Sequence, residues 1–201
     1  MINAKKSLGQ NFLTDRNILE KIVNVTAIEN KIILEIGPGT GNLTSFILKN
    51  KPKKVFVIEK DNDLAKNLNL KFGEQLTVIN DDILDINESA LFKENVTVFG
   101  NLPYNISTEI LSKWIINLKD IFWFDHLVLM FHKEVAERII AKFNNSNYGR
   151  LSILANWKLN IKKICDIKPE SFNPRPKIDS SLLFFTPKQN FYKIKDPKNL
   201  E

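Results

Sequence analysis

The residues Asn101-Leu102-Pro103-Tyr104 combine chemical groups that can hold a planar amine. They follow an apolar run, Val96–Phe99, that predicts a buried strand ending in a turn. The side-chain carbonyl of Asn101 and a nearby backbone carbonyl can accept hydrogen bonds from an exocyclic NH2 group, Pro103 stiffens the turn, and Tyr104 offers a ring for stacking. This combination favours methyl transfer to the amino group of a nucleobase. The alternative is a strand-end turn in which Asn and Pro only interrupt the strand.

The segment Glu35-Ile36-Gly37-Pro38-Gly39-Thr40-Gly41 is a glycine-rich turn between a predicted strand and a predicted helix. Glycines in this context let the backbone approach a ligand closely. A dinucleotide fingerprint has the spacing G-x-G-x-x-G, whereas Gly37, Gly39 and Gly41 follow the form G-x-G-x-G. This form indicates S-adenosyl-L-methionine, with the loop on the amino acid portion, and disfavours NAD. A strand-to-helix turn without a ligand is the alternative.

Acidic residues follow the next two predicted strands. Glu59 ends the second strand, where a carboxylate can accept hydrogen bonds from both ribose hydroxyls of a nucleoside, and Lys60 makes that edge polar. Asp82 follows the third strand and is expected to accept a hydrogen bond from an adenine amine, while Ile83 offers an apolar face to the ring. Each acid alone is equally well explained as a helix N-cap or a solvated strand end. Their order after successive strands favours a nucleoside pocket.

The elements that must position these residues alternate along the chain. Short apolar runs rich in branched residues predict strands, and apolar residues at three- and four-residue spacing predict helices between them. The predicted strands are Lys31–Ile36, Val55–Glu59, Leu76–Asn80, Val96–Phe99 and His126–Phe131, and the predicted helices are Leu43–Asn50, Asn62–Phe72 and Thr108–Leu118, with another after Tyr148-Gly149-Arg150. This alternation predicts an α/β fold with a doubly wound, mainly parallel central sheet. Two late strands, around Ile161–Ile167 and Ser180–Phe185, are expected to form an antiparallel hairpin.

Length and composition indicate one catalytic domain. The chain has 201 residues, of which 43% are hydrophobic and 26% charged, enough for a full-sized core. A net charge of +6 favours a polyanionic partner, with nucleic acid as the first candidate. We expect a domain over residues 1–186 and a linker or tail over residues 187–201, where the sequence becomes rich in Lys, Asn and Pro.

The composition also argues against several classes of protein. Charged residues interrupt the most apolar region, residues 115–132, which disfavours a membrane span. The single cysteine, Cys165, excludes an internal disulfide and a cysteine-based metal cluster. We therefore expect a cytoplasmic protein that uses no metal and does not associate with a membrane.

Five motifs between Gly9 and Ser181 have distinctive sequences. They are Gly9-Gln10-Asn11-Phe12-Leu13, Gly100-Asn101-Leu102-Pro103-Tyr104-Asn105-Ile106-Ser107-Thr108, Lys133-Glu134-Val135, Tyr148-Gly149-Arg150-Leu151-Ser152 and Phe172-Asn173-Pro174-Arg175-Pro176-Lys177-Ile178-Asp179-Ser180. Through them the chain resembles the rRNA adenine N6,N6-dimethyltransferase family, in particular its small-subunit (16S) branch. The last motif is strongly specific, because a Phe-x-Pro-x-Pro-Lys segment is unusual. One departure is His132, which stands where the family more often has glutamine.

The resemblance implies a Rossmann-like S-adenosylmethionine-dependent methyltransferase fold. It implies transfer of two methyl groups to each of two adjacent adenosines in a hairpin near the 3′ end of small-subunit rRNA, with S-adenosyl-L-homocysteine as the product. The implied partner is that rRNA, within a pre-small-subunit ribosomal particle, and we expect the protein to act as a monomer. Relatives continue into a compact helical C-terminal domain that helps to select the rRNA site.

The resemblance also assigns roles to individual residues. Asn11 and Leu13 would help to cover the cofactor, and Gly37 would line its methionine end. Phe172 would stack on the target base opposite Tyr104, although a core aromatic is the alternative for Phe172.

Three other functions stay open at this point. Macrolide-resistance methyltransferases modify one adenosine of large-subunit rRNA and usually have Ile before the Pro of this turn, so Leu102 favours the small-subunit branch. A non-catalytic assembly or transcription factor would keep the fold, but the intact turn and glycine loop argue against it. An oxidoreductase is possible only if the glycine spacing is misleading.

Overall fold

The described residues alternate between strands and helices. The computed structural model describes residue 5 and residues 9–118 and 121–194. The strands are β1 (Phe12–Leu13), β2 (Ile32–Ile36), β3 (Lys54–Ile58), β4 (Thr77–Ile79), β5 (Val96–Asn101), β6 (Phe124–His132), β7 (Leu159–Ile167), β8 (Phe172–Asn173) and β9 (Ser180–Pro187). The helices are α1 (Arg16–Val23), α2 (Asn42–Lys49), α3 (Asn62–Phe72), α4 (Glu88–Leu91), α5 (Ser107–Asn117), α6 (Lys133–Ile140) and α7 (Arg150–Lys158).

The main sheet of the described chain has seven strands in the order β4-β3-β2-β5-β6-β9-β7. The first five in this order pair in parallel, whereas β9 is antiparallel to both β6 and β7. The predicted α/β fold with a mainly parallel sheet is confirmed, and so is the late antiparallel hairpin. The strand order reverses at β2, which pairs with β3 on one side and β5 on the other. Ligands of open α/β sheets bind at such a switch point, beyond the carboxyl ends of the strands.

Both faces of the sheet are covered by helices, which explains why the parallel strands are apolar throughout. On one face, Leu34 and Ile36 of β2 pack with a cluster that includes Trp114 of α5 and Leu154 of α7. On the other face, Ile33 packs with residues of α1, α2 and α3. Successive residues of β2 therefore contribute to different cores, as the alternation of side chains along a strand requires.

Several elements were not predicted, namely α1, α4, α6 and the two-residue strands β1 and β8. The last two form a separate antiparallel pair, in which Phe12 lies opposite Asn173 and Leu13 opposite Phe172. This pair joins chain segments that are distant in sequence. None of the helices in the described residues is long and apolar enough to cross a membrane.

The segment from residue 187 is in part attached to the domain. Pro187 belongs to β9, the backbone N–H of Lys188 donates to the carbonyl of Lys158 at 2.9 Å, and the ring of Phe191 contacts Trp157 with a centroid distance of 6.2 Å. The boundary expected after residue 186 stays a prediction, and residues 195–201 lie outside the described residues.

Candidate active site

A cavity of about 250 Å³ lies at the carboxyl ends of the parallel strands. Most of the residues that we proposed for ligand binding line it. They are Asn11, Leu13, Gly37, Gly39, Glu59, Lys60, Asp82, Ile83, Asn101, Leu102, Pro103 and Tyr104. Gly41 and Phe172, which were also expected at the site, do not line the cavity. Met130, near the end of β6, also lines the cavity and was not among the predicted residues.

The side chain of Asn101 is fixed by the backbone of the N-terminal segment. Its Nδ2 donates a hydrogen bond to the carbonyl oxygen of Asn11 at 2.8 Å. Because the NH2 end of the amide is bound to this carbonyl, its oxygen end is the one available to accept a further hydrogen bond. A Cβ atom at Gly37 would lie 3.6 Å from the carbonyl oxygen of Asn101, so the glycine loop and the Asn101–Tyr104 turn are in direct contact.

The ring of Tyr104 is held by two neighbours. Its hydroxyl shares a 2.7 Å hydrogen bond with Oγ of the buried Ser180, and its ring centroid lies 3.6 Å from that of His132. Burial raises the pKa of Tyr104 and lowers the pKa of His132. Both rings are therefore neutral near pH 7, and Tyr104 has the fixed position that a stacking surface requires.

The glycine loop is shaped by two close contacts. Gly39 has a φ of +58°, and a Cβ there would lie 2.7 Å from Cδ1 of Phe12, so only glycine lets this ring cross the loop. Gly41 has a φ of +76°, and its Cβ would lie 2.6 Å from the ring of Phe72 on α3. Gly41 therefore permits packing of the loop against the protein, which explains why it does not line the cavity.

Two buried carboxylates lie beneath the loop. Glu59 accepts hydrogen bonds from the backbone N–H of Gly39 at 3.1 Å and of Asp61 at 2.9 Å, and burial raises its pKa. Glu35 accepts a 2.6 Å hydrogen bond from Oγ1 of Thr44, and burial raises its pKa to about 8. Each oxygen of Glu59 already accepts one hydrogen bond and keeps a second lone pair for a hydroxyl donor.

Asp82 and Lys60 form an ion pair at the far side of the cavity, with 2.5 Å between Lys60 Nζ and Asp82 Oδ2. Burial alone would raise the pKa of Asp82, but the hydrogen bond and charge of Lys60 outweigh it and lower the pKa. The other oxygen, Oδ1, accepts from the backbone N–H of Leu84 at 3.0 Å. Asp82 is thus an ionised acceptor held in place from two sides.

The N-terminal strap, residues 9–15, forms one wall of the cavity, and the sequence did not reveal how it is held. The side chain of Gln10 donates to Oδ2 of Asp61 at 3.1 Å, and Lys5 lies 2.9 Å from the same oxygen. At the other end, the backbone N–H of Thr14 donates to the carbonyl of Ser171 at 2.8 Å. These bonds tie the strap to the rim beyond β3 and to the segment before β8.

Phe172 packs behind the strap. Its backbone pairs with Leu13, and its side chain is 2% exposed within the cluster that contains Leu19 and Ile22. This position is that of a core aromatic, so its expected stacking role stays a prediction. The described residues hold no group of three or more His, Cys, Asp or Glu placed to bind a metal ion.

The order of groups along the cavity fits a nucleoside with an amino acid attached. The glycine loop offers a tight backbone turn, Glu59 offers free lone pairs for hydroxyl groups, and Asp82 with Ile83 offers an acceptor beside an apolar face. The backbone carbonyl of Asn101 and the ring of Pro103 lie where Gly37 approaches the turn, and the side chains of Asn101 and Tyr104 line the same cavity. A methyl group carried at the Gly37 end would therefore lie next to an amine held by Asn101.

Comparison with known proteins places these features in one family. Residues 1–201 match the ribosomal RNA adenine dimethylase family. The chain is 70% identical over 200 residues to ribosomal RNA small subunit methyltransferase A of Pelagibacter ubique (strain HTCC1062), an alignment that covers 100% of this chain and 76% of that protein. It is 44% identical over 191 residues to the protein of the same name from Wolbachia sp. subsp. Drosophila simulans (strain wRi), with 93% and 69% covered.

Solved structures of related proteins share the fold of this chain. A dimethyladenosine transferase from Plasmodium falciparum matches with a TM-score of 0.77 and 36% identity over 89% of this chain and 64% of that one. The 23S rRNA methyltransferase ErmE also has a TM-score of 0.77, with 94% of this chain and 75% of that one covered, but its identity of 23% shows only that the fold is shared.

Proposed function

The chain belongs to the ribosomal RNA adenine dimethylase family, and from this premise we propose that it methylates the N6 amine of adenosine in small-subunit ribosomal RNA, with S-adenosylmethionine as the methyl donor. The observation that carries the proposal is the arrangement of Asn101. Its amide nitrogen is bound to the carbonyl of Asn11, its oxygen is left to accept, and the glycine loop touches the same turn. An acceptor for an amine is thereby held beside the expected methyl donor.

The chemistry requires alignment more than a strong base. The lone pair of an adenine amine is delocalised into the ring, so the amine is a poor nucleophile. Hydrogen bonds accepted by Asn101 Oδ1 and the Leu102 carbonyl orient the two N–H groups and direct the lone pair along the line of transfer. When bound, S-adenosylmethionine supplies a methyl group on a positively charged sulfur that is a good leaving group. The proton released from the amine passes to water.

We assign the remaining site residues by their places in the cavity. Gly37 and Gly39 support the amino acid part of the cofactor, Glu59 accepts from the ribose hydroxyls, and Asp82 accepts from the adenine amine while Ile83 covers its face. Asn11 and Leu13 of the strap close the cavity from above, and Tyr104 stacks on the target base.

The proposal also covers the RNA substrate, the oligomeric state and the bounds of the catalytic domain. The net charge of +6 supports binding to a polyanion. We propose that the substrate is a pair of adjacent adenosines in a hairpin near the 3′ end of the small-subunit rRNA, that it is presented in a pre-small-subunit particle, and that the protein acts as a monomer. We also propose that residues 1–186 are the catalytic domain.

Methyl transfer from labelled S-adenosylmethionine tests the proposal. Unmethylated small subunits are expected to accept label as dimethyladenosine, and naked large-subunit rRNA is not. Asn101→Ala is expected to lower the rate by about a hundredfold or more, because it removes an acceptor aligned with the transferring group. Asn69→Ala, on the exposed face of α3, is the matched control and is expected to be fully active. Equal activity of the Asn101 variant would disprove the assigned role.

A further inference from the structure

A polar cluster outside the cavity joins helix α5 to the adenine-side loop, residues 81–87, which follows β4. The ammonium group of Lys113 on α5 donates to the carbonyl oxygens of Ile83 at 2.6 Å and of Ile86, and to Oε1 of Glu88 at 2.9 Å. The indole Nε1 of Trp114 donates to the same carboxylate oxygen at 2.7 Å. The side chains of Lys113 and Glu88 are only 17% and 5% exposed.

The number of donors matches the number of acceptors. A lysine ammonium has three N–H donors and no acceptor, and each donor of Lys113 has one partner among the Ile83 carbonyl, the Ile86 carbonyl and Glu88. Because the group is largely withdrawn from water, these charge-assisted bonds are stronger than exposed ones, and a missing donor would leave buried acceptors unsatisfied. Two backbone carbonyls of the adenine-side loop therefore depend on one side chain of a different element.

The same loop presents Asp82 and Ile83 to the cavity. Lys113 does not line the cavity, but it binds the carbonyl of a residue that does. Its helix begins at Ser107, directly after the turn that holds Asn101 and Tyr104, and the backbone N–H of Ile106 donates to the Pro103 carbonyl at 3.1 Å. One rigid helix thus connects the turn for the target amine with the loop for the cofactor.

We propose that Lys113 is a positioning residue that fixes the adenine-side loop in the conformation that recognises the adenine ring of the cofactor, and that it links this loop to the Asn101–Tyr104 turn through α5. The inference rests on the proposed function, since it concerns the S-adenosylmethionine site. Lys113 touches neither ligand and acts through the position of Asp82 and Ile83. Removal of its donors releases the loop and weakens selection for the adenine amine.

Calorimetric binding of two ligands tests this role. S-adenosylhomocysteine carries the adenine amine, whereas S-inosylhomocysteine has a carbonyl oxygen in its place, which Asp82 would repel. The unsubstituted chain is expected to prefer the adenosyl ligand by about tenfold or more. Lys113→Met keeps the apolar stem and removes all three donors. It is expected to bind S-adenosylhomocysteine about tenfold more weakly and to discriminate little between the two ligands.

Lys158 offers a matched control. Its ammonium is also buried, at 2% exposure, and donates to the carbonyls of Ile115, at 2.9 Å, and Leu118 near the other end of α5, away from the cavity. Lys158→Met is expected to lower the melting temperature and to keep the preference for the adenosyl ligand. This control separates the role of Lys113 from a general loss of stability.

The outcomes distinguish this inference from the proposed function. Unchanged selectivity in Lys113→Met, or an equal loss of selectivity in Lys158→Met, overturns the role of Lys113 alone. If the unsubstituted chain does not bind S-adenosylhomocysteine, the proposed function fails and the inference fails with it. If Lys113→Met does not fold, Lys113→Gln replaces it, since its amide group keeps N–H donors but carries no charge. The affinities for the same two ligands are then measured.

Discussion

At the scale of the residue, two substitutions of Tyr104 distinguish what its ring and its hydroxyl contribute to methyl transfer and to stability. The ring is available for stacking, and the hydroxyl is bound to Ser180. Tyr104→Ala is expected to lower single-turnover methyl transfer by about 10- to 100-fold, because base stacking is lost. Tyr104→Phe keeps the ring and is expected to retain most activity, while unfolding in urea shows a loss of about 1 kcal/mol from the missing hydrogen bond. Equal inactivity of both variants would show that the hydroxyl takes part directly.

The raised pKa of Glu35 predicts how the stability of the folded chain depends on pH. Burial raises its pKa from the ordinary value of 4.5 to about 8, so between these two values the folded chain binds more protons than the unfolded chain. Its contribution to the free energy of unfolding is therefore full below about pH 4.5 and falls as the pH rises toward 8. Glu35→Gln removes this titration, and its stability relative to the native chain is expected to increase by about 2–4 kcal/mol from pH 5 to pH 8.5.

Urea unfolding at these two pH values measures the Glu35 effect. Glu74→Gln is the control, since Glu74 is exposed after α3. An equal pH-dependent gain in the two variants would mean that the change reflects total charge and not the buried site.

Single residues of the site were predictable where they come at or just after the end of a predicted strand. Glu59, Asp82 and Asn101 come at or just beyond the ends of β3, β4 and β5, and strand ends of a parallel sheet meet at one edge. The places of Gly41 and Phe172 were not predictable in this way. They depend on contacts with α3 and with the N-terminal strap, which no local pattern encodes.

At the scale of the element, the turn between β2 and α2 depends on Phe12 of the strap. Gly39→Ala places a Cβ 2.7 Å from the Phe12 ring, whereas Gly73→Ala, at a similarly positive φ of +54°, meets nothing within 4 Å. Both substitutions strain the backbone and are expected to lower the free energy of unfolding by about 1–2 kcal/mol. Only Gly39→Ala is expected to weaken S-adenosylhomocysteine binding, by about tenfold or more, because Phe12 and the loop must move apart.

Calorimetric titration of S-adenosylhomocysteine into Gly39→Ala and Gly73→Ala compares their affinities directly. A similar loss of affinity in Gly73→Ala would show that backbone strain anywhere near α3 is sufficient, and that the contact between Phe12 and Gly39 has no special role.

The predicted elements were those with strong local patterns. The strands β2 to β6 and the helices α2, α3 and α5 were confirmed, with boundaries that shifted by up to two residues. Helix α1 was missed although its signals are local: Asp15 caps it by accepting from the N–H of Asn17 at 2.9 Å, and Leu19, Ile22 and Val23 form its buried face. The insertion of β9 between β6 and β7 was not predictable, because strand order arises from long-range pairing.

At the scale of the whole molecule, the aromatic ring of Phe191 attaches the segment after β9 to the domain, in addition to the backbone bond of Lys188. Phe191 contacts Phe122 and Trp157 at centroid distances of 6.0 and 6.2 Å, whereas the neighbouring Tyr192 side chain is 83% exposed. Phe191→Ala is expected to lower the free energy of unfolding by about 1–2 kcal/mol, and Tyr192→Ala by less than about 0.5 kcal/mol. Thermal and urea unfolding measure both. Equal values would indicate that the aromatic contacts of Phe191 add nothing to the stability of the domain.

The pairing of β1 with β8 has a consequence for the synthesis of the protein. Phe12 lies opposite Asn173, so the strap cannot take its final place until residue 173 has left the ribosomal exit tunnel. At ordinary elongation rates, synthesis from Asn101 to Asn173 takes on the order of 4 to 15 seconds, and during this time the glycine loop and Asn101 are already translated but lack their covering wall. A nascent chain is therefore unable to hold its methyl donor in a closed cavity. Methylation begins only after β8, the strand that pairs with the strap, has been synthesised.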